Sequence, residues 1–87
     1  NTRLVFHDHY LIFTNHMENI FISYQDIFKI IVKTKKKIFN RYVDLIIPRI
    51  NIFYRKKDQN KKIGLRFGSP NDFNKIFEII KTIYKIN

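Results

Sequence analysis

The spacing of apolar residues changes period once along this chain, around Gly68-Ser69-Pro70, and that change restricts the folds open to it. Beyond it, Phe73, Ile76, Phe77, Ile80, Ile83 and Tyr84 recur at helical spacing. Ser69 is suited to cap such a helix, Pro70 to occupy its first position, and Asp72 to complete an S-x-x-D capping box. Lys75, Glu78, Lys81 and Lys85 fill much of the opposite side. A helix of about 15 residues is therefore predicted over residues 70–85.

Before the change, the pattern is that of strands. Residues 4–6, 10–14 and 20–24 are short apolar runs, separated by the polar breaks 7–9 and 15–19. Residues 27–33 alternate, with Phe28, Ile30 and Val32 predicted to face a core and Lys29 and Lys33 water. Ile27, Ile30 and Ile31 also fit a helical period, but the β-branched content and short length favour a strand. Residues 34–41 read as a basic loop. Val43, Leu45 and Ile47 then share one face, and Ile50, Ile52 and Tyr54 another stretch. Pro48 lacks an N–H, so Pro48-Arg49 is either a tight turn or a bend in one long strand. Asp58-Gln59-Asn60 suits a turn, and Ile63, Leu65 and Phe67 form the inward side of a last strand. Seven strands and one C-terminal helix are expected.

A chain of 87 residues is expected to form one domain with a modest core. Asn1 in place of an initiating Met suggests a domain cut from a longer protein. No stretch approaches the ~18 apolar residues of a membrane span, and there is no signal-peptide pattern. With no Cys, disulfides, zinc–thiolate sites and cysteine nucleophiles are excluded, and a reducing, cytoplasmic setting is compatible.

The order of elements resembles the pleckstrin-homology-like superfold. Leu11-Ile12-Phe13-Thr14-Asn15 leading to Ile22-Ser23-Tyr24-Gln25-Asp26-Ile27 is similar to a rhythm of GRAM domains, bacterial pleckstrin-homology-like domains and the N-terminal domain of the transcription factor II H core subunit. Leu65-Arg66-Phe67-Gly68-Ser69 resembles their strand-to-helix corner. The resemblance implies two sheets packed nearly orthogonally, with the helix plugging one open end. It also implies a lipid-binding or acidic-peptide-binding module. Lipid-binding members carry basic residues between the first two strands, where this chain has His7-Asp8-His9, so those positions do not transfer. The Trp common in their helices is absent as well.

The catalytic inventory is thin. Ser69 is explained as a cap, Ser23 lies on a predicted strand with no His near it in sequence, and Gly64 and Gly68 do not make a phosphate loop. His7 and His9 would share a face of a strand, with His16 approaching across a hairpin. A polar turn explains them better than a metal site, which wants more ligands. No catalysis, metal or cofactor is expected.

Charge is the stronger signal. The net charge is +10, and residues 29–66 hold thirteen of the 17 Lys and Arg against Asp44 and Asp58, a local net of +11. Two clusters are candidate binding sites: Lys33, Lys35, Lys36, Lys37 and Arg41, and Arg55, Lys56, Lys57, Lys61 and Lys62. Such a surface suits an anionic lipid headgroup or an acidic protein segment. Nucleic acid fits on charge alone, but without a recognised motif. The richness in Ile, Asn and Lys also matches AT-rich coding, in which lysine serves solubility. Phe39, inside the first cluster, either reaches an interface or folds back over the core edge, as lone loop aromatics often do.

Overall fold

The computed structural model describes residues 2–86, and the fold is mostly β with one C-terminal helix. Strands β1 (Arg3–Phe6), β2 (Tyr10–Thr14) and β3 (Asn19–Ser23) form one antiparallel sheet in that order. A single 3₁₀ turn (Tyr24–Asp26) leads to a second antiparallel sheet of β4 (Ile27–Ile38), β5 (Arg41–Lys56) and β6 (Gln59–Leu65). Helix α1 (Pro70–Ile86) follows.

Period-two alternation delivers the core. Leu11, Phe13 and Ile22 from the first sheet meet Ile50, Ile52, Tyr54, Ile63 and Leu65 from the second, and Phe73 and Ile80 of α1 join the same buried cluster. Ile76, Phe77 and Ile83 pack at its edge, so the helix presents the face its sequence prescribes. Tyr84, expected on that face, is exposed. The Lys85 side chain, expected on the polar face, lies outside the described residues. The Asp72 amide donates to Ser69 Oγ at 3.2 Å, satisfying one of the first-turn donors. Phe67 and Phe73 meet edge to face at 5.5 Å, and Phe73 stacks on Phe77 at 5.3 Å, tying the corner to the helix.

Among the described residues there are six strands, not seven. The segments on either side of Pro48 are one strand of 16 residues. Lys33 pairs with Arg49 and Lys35 with Asp44, so Thr34 alone faces Leu45, Ile46, Ile47 and Pro48. Pro48 sits in this bulge, where its missing N–H breaks no regular ladder. The second correction is residues 34–41, which are not a loop. β4 runs on through Lys35, Lys36, Lys37 and Ile38, and the chain reverses at Phe39-Asn40. Both turn residues have positive φ, 49° and 55°, the geometry of a two-residue hairpin whose twist matches the strands. Lys57-Asp58 closes β5–β6 in the same way, with φ of 52° and 62°, so Gln59 and Asn60 belong to β6 rather than to the turn.

A third correction concerns facing. Ile27 pairs with Tyr54 and Lys29 with Phe53, so Phe28 is an extra residue at a bulge. It is turned out of the core and 50% exposed, while Ile30 and Val32 pack inward as expected. Val43 is exposed too, because β5 has outrun the core there.

Ile52 is central to β5 and almost fully buried. Ile52→Ala should lower unfolding free energy by about 2–5 kcal/mol. Urea denaturation is the check, with a lower midpoint and an unchanged slope expected.

Candidate basic interface

The two lysine-rich clusters lie at opposite ends of β5. Arg41 opens that strand and faces Ile38, while Lys35, Lys36 and Lys37 face Asp44, Val43 and Tyr42. Lys33 stands at the near side of the Thr34 bulge. Arg55 and Lys56 end β5, Lys57 is in the turn, and Lys61 and Lys62 return along β6. All ten side chains are exposed. The structure therefore brings each cluster together on its own hairpin and does not merge the two into one surface.

The hairpin of β4 and the first half of β5 extends past the core. Alternation puts Lys35, Lys37, Tyr42 and Asp44 on one side and Lys36, Ile38, Arg41 and Val43 on the other. Lys37 Nζ lies 5.9 Å from the Tyr42 ring centre, and Lys35 approaches Asp44 at 3.9 Å. That ion pair is solvent-exposed and contributes little. What distinguishes the tip is its apolar content. Phe39 is 93% exposed and Tyr42 71%, with Ile38 and Val43 beside them, and Ile46 is 91% exposed further back, at the Thr34 bulge. Phe39 thus reaches outward rather than folding back on the core. Sequence reasoning missed Ile46 and Tyr42, and it placed Val43 inside. The available signal was Asn40, which tolerates positive φ and so marks a hairpin turn between two alternating runs.

The second hairpin is different. A cleft of about 320 Å³ beside it is lined by Glu18, Asn19, Ile20, Tyr54, Lys56, Lys57, Gln59 and Lys61. Its rim is polar and mixed in charge, and no apolar side chain projects from the Lys57-Asp58 turn.

His7-Asp8-His9 forms the β1–β2 turn. The His7 amide donates to the Tyr10 carbonyl at 2.8 Å, and the His7 ring stacks on Tyr10 at 4.8 Å. Among the described residues, no three His, Cys, Asp or Glu side chains come together as a metal site. The Tyr24 hydroxyl donates to the His7 carbonyl, and the Tyr24 amide to that of His9 at 3.0 Å, fastening this turn to the 3₁₀ segment.

Burial raises the Tyr24 phenol above its ordinary value of 10.0, with the Asp8 carboxylate adding to the shift. Burial likewise raises Tyr54, with Glu18 contributing. The fold therefore holds both phenolic protons to higher pH than the unfolded chain does. Their contribution is fully present below pH 10.0 and is lost as pH rises through the folded values. Stability measured by denaturant titration should fall above pH 10.0, and Tyr24→Phe should make that fall shallower.

Comparison with protein families, curated proteins and solved structures returned no match to this chain. Among the described residues, no helix is long and apolar enough to cross a membrane.

Proposed function

We propose that this domain is a non-catalytic module that docks peripherally on anionic membrane lipid through the β4–β5 hairpin. The observation carrying this reading is Phe39, a large aromatic at positive φ and 93% exposed. Left-handed backbone disfavours a side chain of that size by roughly 1–2 kcal/mol. Its exposure forgoes the ~1.5–3 kcal/mol that burial would supply. The hairpin turn requires the backbone conformation, but it requires neither a Phe there nor its exposure, and such choices direct attention to function. An interface that is apolar inside and anionic at its surface accommodates both halves of the tip. Phe39 and Tyr42 enter the acyl boundary, while Lys36, Lys37 and Arg41 meet the headgroups.

Magnitudes favour the same reading. Each cation near an anionic leaflet is worth ~1 kcal/mol, and the cytoplasmic leaflet is the anionic one. Cations alone give salt-sensitive recruitment, whereas apolar insertion makes it persist. Phosphoinositides suit the local density of Lys33, Lys35, Lys36 and Lys37. An acidic peptide, the competing ligand, needs the cations but leaves Phe39 and Tyr42 without a role. The two sheets with a C-terminal helix are the elements a pleckstrin-homology-like sandwich would use, and that kinship is part of the proposal.

Co-sedimentation with phosphatidylcholine vesicles, with and without phosphatidylserine or phosphatidylinositol bisphosphate, tests it. Binding should require the anionic lipid. Lys36→Gln with Lys37→Gln should weaken it about 30-fold, from ~1 kcal/mol per charge. Phe39→Asn with Tyr42→Thr should reduce it at least as much without loss of thermal stability, because Asn suits the turn and Thr suits a strand. Equal binding by both variants and the parent chain would refute the assignment.

A further inference from the structure

The geometry points to a second ligand surface, the outer face of the β4–β5–β6 sheet, built to bind single-stranded nucleic acid. Ile50, Ile52 and Tyr54 face the core, so Arg49, Asn51, Phe53 and Arg55 face outward. Cross-strand partners share a face. Phe53 lies between Lys29 and Lys62, and Arg49 lies opposite Lys33. Five cations, Lys29, Lys33, Arg49, Arg55 and Lys62, thus occupy one three-stranded face. Among the described residues, the registered partners there include no carboxylate, since Asp44 lies beyond the Thr34 bulge and Asp58 in the turn.

Two details distinguish this face from a solvating one. Like charges directly opposite destabilise a sheet, yet Lys33 and Arg49 are paired that way, which an anionic ligand would relieve. At the centre, Lys29 Nζ and Lys62 Nζ lie 5.6 and 6.0 Å from the centre of the Phe53 ring, and Phe28 lies 6.3 Å from it on the bulge. An aromatic platform flanked by cations suits a base stacked on the ring with phosphates on the lysines.

Membrane lipid fits this face less well. Phe53 is half-buried, and the apolar side chains exposed near it, Phe28 at 50% and Ile31 at 37%, stand out far less than Phe39 at 93% does on the hairpin. Gly64 opposite Asn51 keeps the surface flat, because a Cβ there would come within 3.2 Å of Asn51 Oδ1. The Asn51 amide is left beside the platform as a donor and acceptor for a base edge. Duplex nucleic acid would offer phosphates but no unstacked base for Phe53.

Fluorescence anisotropy with labelled oligo-uridine of about 12 nucleotides, within the span such domains occupy, is the test. Binding should weaken with salt at a logarithmic slope near −3.5, about 0.7 for each of five cations. Lys29→Gln with Lys62→Gln should lower affinity about tenfold or more and reduce the slope by about 1.4. Phe53→Leu, which keeps an apolar side chain, should lower affinity about fivefold or more with the slope unchanged. The hairpin pair Lys36→Gln and Lys37→Gln should leave oligonucleotide affinity within about twofold, separating this face from the lipid-docking tip. Failure of oligo-uridine to bind at low salt would overturn the inference. So would a duplex of the same length binding as tightly while Phe53→Leu has no effect, or vesicle binding alone being lost in the Lys29 and Lys62 variant.

Discussion

The core accommodates only the second half of β5. Ile50, Ile52 and Tyr54 are sealed against the first sheet and the helix, whereas residues 41–44 are all exposed. A strand longer than its core must carry its partner out into solvent, and β4 goes with it as far as Ile38. The Thr34 bulge marks the boundary. On one side, alternation sorts apolar from polar. On the other, both sides of the ribbon meet water, and the sorting has nothing to act on. The exposed apolar tip and the separation of the two lysine clusters both follow from this mismatch of lengths.

The same mismatch divides the cations by the company they keep. Near the tip, lysines alternate with Ile38, Tyr42, Val43 and the turn residue Phe39. Over the core, Lys29, Lys62, Arg49 and Arg55 surround a level aromatic. An apolar projection and a flat platform are different instruments even when their charge is alike. The local net of +11 over residues 29–66 is thus spread over two surfaces of different character. The first sheet contributes little to either, since its turns hold Asp8 and Glu18.

Much of the fold was legible because it follows from periodicity. The Ser69 cap, the apolar face of the helix and the inward runs Ile50, Ile52, Tyr54 and Ile63, Leu65 all stand where spacing put them. The failures have several physical causes. The bulge at Phe28 turns that residue out while Ile30 and Val32 stay inward, and neither it nor the bulge at Thr34 leaves a mark in composition. The lysine run at 35–37 reads as loop because charge obscures alternation, although lysines on an uncovered ribbon need not alternate with anything. Pro48 suggested a break because a bulge that excuses it is invisible in sequence. The cationic residues of the candidate interface were legible from charge. Ile46, Tyr42 and Val43 were not, because their exposure depends on where the core ends.

The central claim is that residues 34–44 form an ordered ribbon beyond the core. Nuclear Overhauser effects across the hairpin test it most directly. The account predicts backbone contacts linking Lys36 with Val43 and Ile38 with Arg41, with extended-strand chemical shifts through Lys35, Lys36 and Lys37. Random-coil shifts over residues 34–41 and no such cross-strand contacts would contradict it.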